Sequence, residues 1–600
     1  MKEWRIKPVL PAEQKNLEEH LDISPLLARL LINRGYADPD STRRYLTGSL
    51  KDLPNPFLLK GMNEAVDRLI RAIRQKEKIV VYGDYDVDGT CGTSLLLLFF
   101  KSLGNPVSFY VPHRMKEGYS LNTGALKKLK GEGIDVVITV DNGITANQEA
   151  EAARDLGIDV IVTDHHECPD ELPRAYAVIN PHRPDCPYPA KEICGTAVAF
   201  NLALALRMRL REEGFFGASL SEPNMKQFLD LVALATVADV VPLTGANRIF
   251  VKIGLEELNR STRPGIVALK EAAGCGKTLS TADLGFRLGP RLNACGRLYD
   301  ASKGVGLLTS ENSGEARRLA QELNSANAER QGVEKQILRE AIALLEADKE
   351  TQQRMGHVLF QEEWHPGVIG IVASRLAEKY SRPVVMLGRD SFGADIPRLK
   401  GSARSFGGLN LIETLRACRE HLIKCGGHKA AAGLTLLPER LENFKRAFDS
   451  AVRERADPED FRPFLTLDAE LRLEEIDSRL LTEVEKLKPF GVGNPAPLFC
   501  LRAVTPRFPR IVGERHLKFT AGRAGTAGGN GQPAGPPPVA GPNLNAIAFG
   551  MADLSHLLQN AVDLAFACEL NEFNGVSSLV LNVKDIHPQT VQETFHASHG

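Results

Sequence analysis

The chain has 600 residues, 43% hydrophobic and 25% charged, with a formal net charge of −1. That length allows roughly three or four globular domains, and the near-neutral balance excludes a protein that holds nucleic acid by overall charge, so any such binding needs a local basic surface. The 10 cysteines include no CxxC pair, which fits reduced thiols of a cytoplasmic protein and not a disulfide frame.

Cys186 and Cys194 lie near His182, but the spacing matches no common zinc pattern. The start, MKEWRIKPVL, carries no signal-peptide core, and no apolar run approaches a membrane span. Residues 23–32 and 62–74 carry apolar side chains at helical spacing, with Pro54 and Pro56 between them. The expectation for residues 1–75 is a small helical cap on the first sheet, without chemistry.

At Lys78 the pattern changes to KIVVYGDYDVDGTCGTSLLLL: a β-branched strand, an acidic turn, and an apolar helix expected to open at Thr90. Asp84, Asp86 and Asp88 occupy alternate positions in that turn. Three carboxylates this close repel one another, and a turn needs at most one as a cap. At the carboxyl end of a strand the cluster suits hard divalent cations. Further strands are expected at 107–111, 136–140, 160–163 and 178–179. The second of these ends in Asp141-Asn142-Gly143, the third in Asp164-His165-His166 and the fourth before Asn180-Pro181. Helical stretches such as 145–156 alternate with them, which predicts an α/β domain with a doubly wound parallel sheet. Strand ends of a parallel sheet share one edge, so these carboxylates and histidines can converge.

Residues 231–243, LVALATVADVVPL, set Asp239 in an apolar run, where it requires a cation or a donor such as Arg248. Residues 285–297, GFRLGPRLNACGR, bring Arg287, Arg291, Asn293 and Arg297 into what reads as a glycine-containing loop suited to phosphate clamping.

The segments GDYDVDG, VDNG, TDHH, VADVVPL and GPRLNACGR, in this order, resemble the DHH phosphoesterase superfamily and, within it, the family of bacterial RecJ exonucleases. The resemblance covers nearly the whole chain. Ala235 and Ala246 stand where that family commonly has Gly and Glu; neither replaces an expected ligand.

Residues 311–346 read as one long helix with apolar positions at three- or four-residue spacing. The resemblance implies that it links the DHH core to a second α/β domain, the DHH-associated domain, across a cleft. WHPGVIGIVASRLAEKY, KGSARSFGG and CGGHKAAAGL match that domain, and by this analogy Ser402, Arg404 and His428 face the cleft. From about Phe461 strand-like alternation resembles the RecJ oligonucleotide-binding (OB) barrel. Arg502, Arg507, Arg510, Arg515, His516 and Lys518, interleaved with Phe508 and Phe519, suit backbone tracking and base stacking on a single strand. Residues 521–543 are rich in Gly, Ala and Pro and read as a disordered loop.

The expected organisation is a helical cap (1–75), a DHH core (76–310), a linking helix (311–347), a DHH-associated domain (348–455), an OB-like barrel (456–590) and a tail (591–600). Expected ligands for two divalent cations, Mn²⁺ or Mg²⁺, are Asp86, Asp88, Asp141 (bridging), His165 and Asp239, with Asp84 a ligand or just outside the set. Asp164 is expected to orient a histidine and His166 to meet the scissile phosphate. Arg291, Asn293, Arg297, Ser402, Arg404 and His428 are the expected substrate-phosphate contacts, and Arg510, Arg515, His516 and Lys518 the DNA-binding residues of the barrel. The resemblance implies 5′→3′ degradation of single-stranded DNA to mononucleotides, in repair and recombination, with a helicase and a single-strand-binding protein as partners. The alternatives are a phosphodiesterase of short oligonucleotides or cyclic dinucleotides, and a non-catalytic DNA-binding scaffold.

Overall fold

Runs of β-branched residues bounded by acidic turns become the first sheet of the computed structural model, which describes residues 2–589 except 114–116, 118–119, 299, 391–396, 524–542 and 574–575. Two units form: Ser49–Phe461 with Gly491–Gly493, and Met1–Gly48 with Arg462–Phe490 and Asn494–Gly600. In the larger unit β1 (Ile79–Gly83) leads into α1 (Val87–Ser102), followed by β2 (Ser108–Tyr110), β3 (Val136–Val140), β4 (Asp159–Thr163) and β5 (Ala177–Ile179). The strands are all parallel, in the order β2-β1-β3-β4-β5. Helix Met62–Gln75, α1, α2 (Gly195–Glu212) and α3 (Leu229–Ala238) cover one face; helices Thr123–Gly131 and Asn147–Asp155 cover the other. With both faces covered, every residue of β1 and β3 is buried, which is why they read as unbroken apolar runs.

Strand order reverses between β1 and β3, so the crevice where open α/β sheets take ligands lies at their carboxyl ends. Asn142 clamps that point: its amide donates to the carbonyls of Tyr82 (3.2 Å) and Val140 (2.9 Å). Helix α1 begins at Val87, earlier than the expected Thr90, because the Asp86 side chain caps it by accepting from the Gly89 amide (3.1 Å).

Residues 285–297 are not the expected loop. A π-helical turn, Leu284–Leu288, runs into α4 (Gly289–Leu298). Helix Thr281–Asp283 precedes the π-turn without a break, so Pro290 lies inside one helical run, directly after the π-turn that accommodates its missing N–H. Gly296 permits a close approach to the acidic turn; a Cβ there would lie 2.3 Å from the Tyr85 carbonyl oxygen.

Helix α5 (Ser313–Ala347) is a single helix of 35 residues, capped by Asn312. Its first half, through Ala316, Leu319 and Leu323, belongs to the core under the first sheet. Its second half, through Ile337, Ala341 and Leu345, packs with α6 (Ile369–Tyr380). The second sheet comprises β6 (His357–Phe360), β7 (Val384–Arg389), β8 (Leu399–Arg404), β9 (Lys424–Gly427) and β10 (Ala431–Leu436), in the order β9-β10-β8-β7-β6.

His357 on β6 is buried, and burial, aided by the Arg382 charge, lowers its imidazole to about 4 despite a hydrogen bond to the Thr351 backbone. The unfolded imidazole titrates near 6.5, so below that pH the unfolded chain takes up a proton that the folded chain refuses. The stability this group supplies is full above ~6.5 and is lost as pH falls toward 4. Between pH 7 and 5 we expect a loss on the order of 2 kcal/mol that His357→Phe does not show, read as a difference in urea midpoints.

The smaller unit is a barrel. Strands β11 (Phe499–Val512), β12 (His516–Arg523), β13 (Leu544–Ala548), β14 (Val562–Phe573) and β15 (Val576–Pro588) pair in the order β11-β12-β13-β15-β14, and β14 pairs back to β11 to close it. Ala521 to Arg523 are strand, which corrects the start of the expected loop at 521–543; residues 524–542 and the tail 591–600 lie outside the described residues. The N-terminal cap requires a larger correction. Strand Glu3–Ile6 pairs in parallel with Phe464–Leu467, and Leu17, Leu27, Leu30 and Leu31 share one core with Leu480, Phe499 and Phe566. Residues 1–48 therefore fold onto the barrel unit, where strand Phe464–Leu467 and the apolar face of helix Ser478–Lys486 supply partners, and only the helix Met62–Gln75 covers the first sheet. No described helix is long and apolar enough to cross a membrane.

Candidate metal centre and terminal-phosphate pocket

Three strand ends and two helix ends deliver the acidic centre. Asp84 follows β1, Asp86 and Asp88 open α1, Asp141 follows β3, Asp164, His165 and His166 follow β4, and Asp239 caps the carboxyl end of α3. His165 Nε2 lies 3.1 Å from Asp141 Oδ1, 3.6 Å from Asp239 Oδ2 and 3.7 Å from Asp88 Oδ2. Ligand atoms of Asp84, Asp86 and Asp141 form a second group, and those of Asp141, His165 and His166 a third, each within 4.8 Å. Asp141 belongs to both. Its backbone is left-handed (φ 63°), uncommon for a residue with a side chain.

Electrostatics separates two kinds of group. Burial and then the charge of Asp88 push the carboxyls of Asp86, Asp141 and Asp239 above the ordinary range, the last two strongly. Asp164 behaves oppositely. Burial raises it, but His166 Nδ1 at 2.7 Å and amides of His165, His166 and Ile144 outweigh burial and lower it. Burial lowers His166, yet the Asp164 hydrogen bond and charge prevail and raise it to about 9. His166 is thus a cation held in place by Asp164. His165 is lowered by burial and stays neutral, as a metal ligand must.

Asp88 does more than the sequence suggests. Its two carboxylate oxygens accept from the amides of Gly195 (2.6 Å) and Thr196 (2.7 Å), anchoring the start of α2. Gly195 has to be glycine: a Cβ would lie 2.8 Å from Asp141 Cβ and 2.9 Å from its Cα. Asn142, Asn180, Gly195, Thr196 and Gly296 escaped the sequence reading. Asn180 holds the His166 carbonyl (2.9 Å). The one local signal is the pair Gly195-Thr196 ahead of the apolar run that forms α2.

The expected phosphate contacts divide. Asn293 accepts from the Val87 amide (3.1 Å), bracing α1, and Arg291 donates to Asn324 on α5 (3.0 Å). Arg297 lies in α4, with its side chain outside the described residues. Ser402 and Arg404 sit on one face of strand β8, not in a loop, and Arg404 donates to Ser402 Oγ (2.9 Å) and the Ala403 carbonyl (2.8 Å). Burial lowers Arg404, and no carboxylate pairs with it among the described residues. Gly370 at the start of α6 lets that helix end approach; a Cβ there would lie 2.8 Å from Ser402 Oγ and 3.0 Å from Arg404 Nη2. A helix amino terminus, a hydroxyl and a partly buried guanidinium are together the chemistry an anion requires. His428 is exposed on the β9–β10 turn, and that turn returns to Ala431, which pairs with Arg404.

On the barrel, Arg510, Arg515 and Lys518 are exposed, while His516 Nδ1 accepts from the Gly550 amide (3.0 Å). Arg502 is taken up by Asp563 (2.8 Å), and Phe519 is core. Neither belongs to a basic–aromatic outer face.

This sheet order with acidic strand ends defines the DHH phosphoesterase class. Family models agree: DHH family, N-terminal domain, matches 78–236; DHHA1 domain, 353–454; and RecJ OB domain, 467–585. The chain is 39% identical to the single-stranded-DNA-specific exonuclease RecJ of Salmonella typhimurium, over 94% of this chain and 96% of the relative. Identity to the Escherichia coli protein of the same name is 38%, over 97% and 100%. Identity to the Bacillus subtilis protein is 40%, over 86% of this chain and 64% of that longer relative. The crystal structure of RecJ in complex with Mn²⁺ from Thermus thermophilus superposes with a TM-score of 0.81 at 32% identity, covering 98% of this chain and 80% of that one. The chain belongs to the RecJ family of single-stranded-DNA-specific exonucleases.

Proposed function

We propose that this chain is a metal-dependent exonuclease that degrades single-stranded DNA 5′→3′ to mononucleotides, acting in repair and recombination. One observation carries the reading: His165 Nε2 is buried without a hydrogen-bond partner, yet three carboxylate oxygens face it at 3.1–3.7 Å. A divalent cation satisfies the imidazole and the crowded carboxylates together. Asp86, Asp88, Asp141, His165 and Asp239 would hold two such ions, Mn²⁺ or Mg²⁺, Asp141 being the residue common to two ligand groups, with Asp84 a further ligand or just outside the set. When bound, the ions supply activation of water and neutralisation of phosphodiester charge. The rest falls to the protein. His166, kept cationic by Asp164, meets the scissile phosphate. Ser402, Arg404 and Arg297, with the α6 amino terminus, take the terminal phosphate, and His428 flanks them. Arg291 and Asn293 brace the frame. Arg510, Arg515, His516 and Lys518 follow the strand on the barrel. A helicase and a single-strand-binding protein are the partners expected from the family.

A basic barrel face argues against an enzyme restricted to short substrates, and a complete acidic cluster argues against a silent scaffold. A nuclease assay with Mn²⁺ on long single strands, duplexes and dinucleotides separates the three. Preference for dinucleotides, or no cleavage, would overturn the proposal. Gly195→Ala tests the geometry without touching a functional group. It should lower turnover on the order of tenfold to a hundredfold, and weaken Mn²⁺ in calorimetric titration, because it pushes Asp141 out of place.

A further inference from the structure

Strands β11 and β12 fall out of step at one point. Arg507 pairs with Thr520 and Arg510 with Lys518, so three steps on one strand face two on the other. The extra residue is a β-bulge. Without it Arg507 and Arg510 would point to opposite faces. With it both lie on the face of Thr520 and Lys518, which is the outer one, since Leu517, Phe519 and Ala521 fill the core. Phe508 occupies the bulge with a left-handed backbone (φ 53°) and is 84% exposed. A glycine would make the same bulge at no steric cost, and burial gives the phenyl ring nothing here. Its neighbours Arg507, Arg510, Arg515 and Lys518 make the surroundings suited to a polyanion.

We propose that Phe508 is a stacking platform for one base of the bound single strand, with Arg507, Arg510 and Lys518 holding the phosphates on either side. Every base offers a π-face, so the platform reads no sequence. The inference rests on the single-strand reading above and adds to it a named contact residue. Phe508 belongs to the barrel unit and not to the unit with the acidic centre. Its contribution is therefore read as affinity for the strand.

The test is fluorescence anisotropy of the full chain in EDTA, with a long oligothymidylate and an abasic strand of equal length. Phe508→Ala should weaken oligothymidylate binding about five- to a hundredfold and leave the abasic strand within about twofold. Phe508→Trp should restore affinity, and the salt slope, which counts phosphates, should not move. Phe508→Gly should lose binding while raising Tm, because it relieves the backbone. Equal losses on both strands, no loss on oligothymidylate, or full rescue by Phe508→Leu would each overturn the platform. If the wild type bound neither strand, the single-strand reading itself would fall; if it bound both alike, only the platform would.

Discussion

Asp141→Asn is expected to lose at least about a hundredfold in nuclease turnover while the metal-free fold is kept or strengthened. Changes to groups that merely support metal ligands commonly cost about 10–100-fold, so loss of the carboxylate shared by two ligand groups should exceed that range. Asparagine is the right replacement because Asp141 is left-handed at φ 63°, a conformation Asn adopts readily and Ala does not. The stability side has a definite sign. Burial and the Asp88 charge hold the Asp141 carboxyl well above its ordinary value in the metal-free protein. A raised carboxyl supports the fold at low pH, and that support is lost as pH rises past the unfolded value near ~3.9. Near neutrality the charge is a burden, so its removal should leave Tm unchanged or higher. Mn²⁺ should then raise Tm in the wild type and much less in the variant. Ordinary turnover by purified Asp141→Asn protein in saturating Mn²⁺ would remove Asp141 from the centre.

Arg404→Ala should lose about ten- to a hundredfold in kcat/KM on 5′-phosphorylated strands and less on 5′-hydroxyl strands. A charge-assisted hydrogen bond contributes roughly 1.5–3 kcal/mol, which sets the range. The motive is a partly buried guanidinium, tied among the described residues to Ser402 and the Ala403 carbonyl, beside a helix amino terminus opened by Gly370. A terminal phosphate carries more charge than an internal diester, so the pocket distinguishes an end from the middle of a strand. If Arg404 only braced β8, both substrates would suffer equally; equal fractional losses therefore exclude the pocket.

The acidic centre was legible because its signals are local. Asp84, Asp141 and Asp164 to His166 each follow a short β-branched run, strand ends of one parallel sheet must share an edge, and Asp239 stands out as a lone carboxylate in an apolar run. The reading went astray where partners lie far off in sequence or where small residues blur the backbone. KGSARSFGG looks like a loop because glycine and serine dominate it, yet its first five residues complete strand β8 between β7 and β10. GFRLGPRLNACGR looks like a loop for the same reason, although a π-turn carries the helix past Pro290 and Gly296 serves a close approach. The double duty of Asp88, ligand and anchor of α2, was invisible because Gly195 lies more than a hundred positions away.

The chain's two ends belong to one unit, and that has a consequence for synthesis. Residues 1–48 leave the ribosome well before 462–600, where their strand partner and shared core lie. At ~5–20 residues per second, making residues 49–461 takes roughly 20–80 s. For that interval Leu17, Leu27, Leu30 and Leu31 have no native surface to cover them. The leading helices are thus a natural client for a holding chaperone on the nascent chain. Expression of the barrel without residues 1–48, or of those residues without the barrel, should give protein that aggregates.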